Sequence, residues 1–321
     1  MKANAGEAGK TANRLQIRRA LVATDFSTPS REAFRFALPL LERWEAEVHL
    51  VHVFATDYPF SSMTVPPLVV PPEEIERRVL SQLKDFAAQE TNALPRENLH
   101  AIPGTAWKEI CRLARELPID LIVSATRGQT GLKHLALGST AERIVRHAPC
   151  PVLVVHPLDR NQPYRAGFET IFAPVDFSEC GMVGLEAARA IAREFDARLV
   201  LFHSLDLHYY STNPEFMLYD LPPIIDAAEK AAREQLDEMI ELVRREKIAG
   251  ETVLGCGHAG ERICREARER AADLIVTSTH GRTGLAHVFI GSTAEYVVRH
   301  APCPVLVIPS HTRSGTALPS S

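Results

Sequence analysis

Residues 126–155, TRGQTGLKHLALGSTAERIVRHAPCPVLVV, recur at 279–308 as THGRTGLAHVFIGSTAEYVVRHAPCPVLVI, with 21 of 30 positions identical and no gap. Whatever one copy folds into, the chain contains twice. The spacing separates this repeat from a solenoid, whose periods run to about 20–50 residues. Gly128 and Gly281, Gly138 and Gly291, and Cys150 and Cys303 each lie 153 positions apart. Asp25 and Asp176 lie 151 apart, which places a two-residue insertion between the second and third strands of the second copy. The duplicated unit is therefore domain-sized, and two domains match a chain of 321 residues. The expected division is a disordered lead over 1–14, a first domain over 15–157, a linker over 158–168, a second domain over 169–309 and a loose tail over 310–321.

Composition narrows the functional classes. The net charge is −4 and no long basic run or aromatic-basic interleaving occurs, which argues against nucleic acid as a partner. No apolar stretch reaches the roughly 18–20 residues of a membrane helix, so no membrane association is expected. The opening MKANAGEAGKTANR lacks the apolar core of a secretory signal. The six cysteines form no C-x-x-C pair, as expected of reduced, packed thiols in a cytoplasmic protein.

Each copy alternates β-branched runs with amphipathic stretches, the pattern of a parallel sheet covered by helices on both faces. Strands are expected at 19–24, 47–54, 98–103, 120–125 and 151–155, and again at 170–175, 198–205, 252–257, 273–278 and 304–308. DLIV and PVLVV are apolar on both faces, as buried parallel strands are. Helices are expected at 29–44, 179–195 and 226–247, with Pro39 kinking or shortening the first. The Pro-rich stretches 56–72 and 206–223 read as loops and as candidate surfaces for protein partners. The fold class is thus α/β, with two tandem, doubly wound, parallel five-stranded sheets of Rossmann-like type.

The chemistry gathers at Gly128-x9-Gly138-Ser139-Thr140 and its twin Gly281-x9-Gly291-Ser292-Thr293. Each begins past the carboxyl end of a strand and finishes where a helix starts. Ligands of open α/β sheets sit at that edge, and the unpaired N–H groups of a helix start attract phosphate. The competing reading is a capping box, S-x-x-E, formed by Ser139 with Glu142 and by Ser292 with Glu295. Asp25 and Asp176, after the first strand of each copy, either accept hydrogen bonds from a ligand or cap the next helix through an Asp-Phe-Ser turn. Gly255, Gly257 and Gly260 spell G-x-G-x-x-G. The first copy has Ile102, Gly104 and Trp107 there, so the triplet reads as a turn rather than a dinucleotide fingerprint. His52/His203, His134/His287 and His147/His300 recur in register without metal-ligand spacing, and His52 and His203 are expected to pack within strands. Arg127, Lys133, His280 and His287 flank the glycine loop as solvated cations or phosphate contacts. No nucleophile is paired with a base, so binding rather than catalysis is expected.

These residues resemble the universal stress protein family in its tandem two-domain form, from about Arg18 to Pro309. The resemblance rests on V-x-x-D-F-S after strand one, LVHV in strand two, and R/H-G-x-T-G-x6-G-S-T followed by P-V-L-V. It implies an adenine nucleotide alpha hydrolase-like fold whose halves pack about a pseudo-twofold axis. It also implies a cytoplasmic stress-response role with ATP, ADP or AMP as a regulatory ligand, with or without Mg²⁺ and with no structural metal. The phosphate-binding residues carried over are Gly128, Gly138, Ser139 and Thr140, and Gly281, Gly291, Ser292 and Thr293. The adenine-side residues are Asp25 and Val53, and Asp176 and Ser204. The family's first glycine is Ala125 in one copy and Ser278 in the other. If that backbone needs positive φ, the change costs about 1–2 kcal/mol, roughly tenfold in affinity. The alternatives are a scaffold without nucleotide, acting through protein partners, and a slow ATPase. The oligomeric expectation is a monomer with an internal pseudo-dimer or a homodimer.

Overall fold

The computed structural model describes residues 17–55, 71–91, 94–126, 128, 138–157, 166–206, 221–279 and 290–309. The chain divides into two compact units, one spanning Ile17–Ala166 and the other containing Gly167–Ser321. In the first unit the strands are β1 (Arg19–Ala23), β2 (Glu47–Phe54), β3 (Leu99–Pro103), β4 (Leu121–Ala125) and β5 (Val152–Val155). They lie in the order β3-β2-β1-β4-β5, and their pairings are parallel. The second unit repeats this with β6 (Thr170–Pro174), β7 (Arg198–Leu205), β8 (Gly250–Cys256), β9 (Leu274–Ser278) and β10 (Val305–Ile308). Their order is β8-β7-β6-β9-β10, again parallel. Every strand expected from the apolar runs is present, within two residues at each end.

The order follows from connection length and chirality. A parallel pair needs a crossover, and right-handed crossovers in two directions from β1 put helices on both faces. The first unit supplies α1 (Thr28–Arg43), α2 (Pro72–Ala88), α3 (Ala106–Glu116) and α4 (Ser139–His147). The second supplies α5 (Glu179–Phe195), α6 (Leu221–Arg245), α7 (Ala259–Glu269) and α8 (Ser292–His300). On one face of the first sheet Phe34 of α1 stacks on Phe86 of α2 with centroids 6.0 Å apart. Glu90, just past α2, is gripped by Arg31 and Arg35 of α1. The second unit holds the same pair of helices together with Arg189 of α5 on Glu246. Phe34, Leu21, Leu50 and Ile122 are among the fully buried side chains of the first core, with Phe172, Phe202 and Ile171 in the second.

Two expectations need correction. Pro39 does not shorten its helix, which runs from Thr28 to Arg43 against the expected 29–44. Leu38, Leu40 and Leu41 are buried around it, so packing of the apolar face carries the helix past the missing N–H. The stretches read as loops also give up their ends to helices. Pro72 opens α2, and α6 begins at Leu221 with Pro222 and Pro223 in its first turn. Proline is tolerated there because the first N–H groups of a helix have no intrahelical partner. The remainder of both stretches lies outside the described residues.

At the far edge of the first sheet, His49 Nδ1 and His100 Nε2 stand 3.1 Å apart. Burial, then the neighbouring His49 and Arg96, lowers the His100 pKa from 6.5 to about 4. Between about pH 6.5 and 4 the unfolded chain takes up a proton that the folded chain refuses, so this contribution to stability is complete above pH 6.5 and is lost as pH falls. Thermal melts from pH 7 to pH 4 should therefore show a smaller loss of Tm for His100→Gln than for the native chain. Equal losses would remove the histidine pair from the acid sensitivity.

Candidate functional site

The carboxyl ends of β1, β2 and β4 meet the starts of α3 and α4 around a cavity of about 510 Å³, within the range of small-molecule sites. Asp25, Val53, Ala125, Gly128, Gly138, Ser139 and Thr140 all line it. Those are the seven first-copy residues carried over by the family resemblance, and the fold draws them from four separate stretches of chain.

One end of the cavity is built at the start of α4. Gly138 is the N-cap residue, in extended conformation, and being glycine has no side chain with which to cap the helix. Ser139 is thus the first helical residue and not the cap. The capping box is not formed, because Glu142 turns down the helix to Arg146 at 2.9 Å. Glu295 does the same with Arg299 at 3.0 Å, beneath the N-cap Gly291. The Gly138 amide donates to the Thr126 carbonyl at 2.7 Å, and the Gly291 amide to the Thr279 carbonyl at 2.9 Å. Each bond brings the returning chain back to the strand it left and presents the first-turn amides there. Gly291 has φ −59°, which any residue adopts, and among the described residues a Cβ on it would meet only Thr279 O, at 3.5 Å. Neither backbone strain nor packing against those residues requires glycine. Gly281, together with Arg127, Lys133, His134, His280 and His287, lies outside the described residues.

The other end is set by the Asp-Phe-Ser turn. Phe26 and Phe177 take left-handed φ values of 64° and 62°, costing each about 1–2 kcal/mol. In return Phe26 lies on the His52 ring at 4.4 Å and Phe177 on His203 at 4.3 Å. The His52 Nδ1–H donates to the Thr24 carbonyl at 2.8 Å, and that of His203 to Val175 O at 2.7 Å. Burial lowers the His52 pKa, against the opposing pull of the Thr24 hydrogen bond and Asp25. Asp25 Oδ1 accepts from the Ser27 N–H at 3.1 Å and from its hydroxyl, while Ser27 itself caps α1. One oxygen thus serves the turn. The other, Oδ2, lies where a Cβ on Gly128 would fall.

Ala125 and Ser278 close β4 and β9, paired with Val155 and Ile308, and neither has positive φ. The strain that an L-residue was feared to bring there is absent. Ser204 replaces Val53 in the second copy and donates its hydroxyl to Gly257 O at 2.9 Å. Gly257 and its counterpart Gly104 have φ of 119° and 137°, which explains why only the middle glycine of the G-x-G-x-x-G recurs. Gly255 lies inside β8, and Tyr296 fills the space beside Gly260, so the triplet forms a turn. Ala106 and Ile110 of α3 also line the cavity. Sequence reading missed them, since apolar residues at a helix start carry no signal distinct from core.

A profile of the universal stress protein family matches residues 16–156 and 167–309, nearly the whole chain. The chain belongs to the universal stress protein family. A universal stress protein of Methanocaldococcus jannaschii is 33% identical over 144 residues, 42% of this chain and 79% of that protein. Another, from Synechocystis, is 30% identical over 151 residues, 44% of this chain and 98% of that one. Relatives of that size correspond to one half of this chain. In fold, the crystal structure of a universal stress protein from Archaeoglobus fulgidus matches with a TM-score of 0.63 at 18% identity, covering 92% of this chain and 97% of its own. Among the described residues no helix is long and apolar enough to cross a membrane.

The geometry at Ser139 makes a testable distinction. Loss of a true N-cap hydroxyl costs about 1 kcal/mol. Ser139→Ala, at the first helical position, should change the urea-unfolding free energy by less than about 0.5 kcal/mol. A loss of a full cap's worth would return Ser139 to that role.

Proposed function

We propose that this universal stress protein is a cytoplasmic stress-response protein that binds an adenine nucleotide as a regulatory ligand. The base and ribose lie toward Asp25 and Val53, and the phosphates on the amides that follow Gly138. The observation that carries this reading is the single cavity that gathers all seven first-copy candidates. Its size suits a nucleotide, one end offers a carboxylate acceptor, and the other offers uncapped helix amides, the elementary anion site. Adenine in particular follows from the family resemblance. The second unit offers the same helix start at Gly291, Ser292 and Thr293 with Asp176 at the opposite end.

Binding rather than turnover is the reading the site favours. His52 is engaged through Nδ1 with a backbone carbonyl, and Asp25 with its own turn. The hydroxyl that Asp25 accepts from is that of Ser27, whose oxygen caps α1. Among the described residues no group of three or more His, Cys, Asp or Glu could hold a metal ion, so Mg²⁺ would arrive on the nucleotide's own phosphates. A scaffold acting only through its Pro-rich stretches is the rival reading.

Calorimetric titration of the full chain with ATP, ADP and AMP should give saturable heat. Gly138→Val together with Gly291→Val should abolish it while the melting profile stays cooperative. No heat at millimolar nucleotide from the native chain would leave the scaffold reading.

A further inference from the structure

The two halves pin their acids alike but set a different residue beside them. Oδ1 of Asp25 accepts from the Ser27 N–H and hydroxyl, and Oδ1 of Asp176 accepts from those of Ser178 at 3.1 and 2.6 Å. Three residues after each serine the copies differ, with Ser30 in the first and Gly181 in the second. A Cβ on Gly181 would overlap Oδ1 of Asp176 and come within 3.4 Å of its Cγ. The Asp176 carboxylate therefore occupies the volume of a β-carbon that the second copy lacks.

Ser30 has that carbon, and it is fixed. The residue is 3% exposed, its hydroxyl lies 3.0 Å from the Thr24 hydroxyl, and it donates to Ser27 O at 2.9 Å. Asp25 cannot settle back over α1 as Asp176 settles over α5. Asp25 lines the first cavity, with its Oδ2 in the space beside Gly128.

We propose that the residue at 30 and 181 decides how far the acid reaches into each pocket, so that the two halves bind nucleotide unequally, the Ser30 half tightly and the Gly181 half weakly. The inference rests on the nucleotide reading above. Its chemical content is one charge-assisted hydrogen bond, from a ribose hydroxyl or a base N–H to a carboxylate, made in the first pocket and lengthened in the second. Ser30 is a positioning residue, acting through Asp25 by the bulk of its β-carbon and not by its hydroxyl.

Titration of the full chain with ATP, by calorimetry and equilibrium dialysis, tests this. The native chain should show one tight site and a second weaker by about tenfold or more, the size of a charge-assisted hydrogen bond. Ser30→Gly should weaken the tight site by about tenfold, whereas Ser30→Ala, which keeps the carbon and loses the hydroxyl, should hold affinity within about threefold. Gly181→Ala should strengthen the weak site, and it decides the matter alone if Ser30→Gly fails to melt cooperatively. Two equal sites in the native chain, or equal damage from Ser30→Ala and Ser30→Gly, or no gain from Gly181→Ala, would overturn the inference and leave nucleotide binding standing. No binding by the native chain would overturn both.

Discussion

The hydrogen bond from the Gly138 amide to the Thr126 carbonyl, 2.7 Å long, is the contact on which the site depends. It returns the chain to the point where β4 ends and starts α4 there. With Gly138 as N-cap, which has no side chain to cap it, the helix opens at the carboxyl edge of the sheet. That is where a doubly wound fold concentrates its crevice. The second unit makes the same bond between Gly291 and Thr279 at 2.9 Å. The conserved part of the duplication, Gly-Ser-Thr with the strand before it and the strand after it, is the part that this bond organises.

The sheets were legible in the sequence because parallel strands buried on both faces read as continuous apolar runs. DLIV and PVLVV could hardly be placed elsewhere. Helix ends were less legible. Pro39 was read as kinking or shortening its helix and the prolines at 222 and 223 as loop, yet α1 keeps its full length and helix-start geometry accommodates the other two. The alternation between capping box and anion site could not be decided from S-x-x-E alone. That spacing also puts Glu142 one turn before Arg146, and the i, i+4 pair took the carboxylate.

The helix start at Gly138 and the turn at Asp25 were legible as positions on the cavity wall, whereas contacts that depend on packing were not. Nothing in D-F-S announced that its phenylalanine would take a left-handed backbone to lie on the histidine of the next strand. Nothing in PGTAWKEI marked Ala106 and Ile110 as cavity wall. The repeat itself hid a difference. Aligned copies invite the assumption of equal pockets, but Gly181, with the Asp176 carboxylate beside it, stands where the first copy has Ser30, and Ser204, its hydroxyl engaged by Gly257, stands where the first has Val53.

A crystal structure of the full chain grown with saturating ATP and Mg²⁺ tests the central claim most directly. The account predicts phosphate oxygens within hydrogen-bonding distance of the Ser139 and Thr140 amides, with the base and ribose between Asp25 and Val53. Triphosphate density lying away from the start of α4, or the Thr126–Gly138 corner closed over those amides with nucleotide excluded, would contradict it.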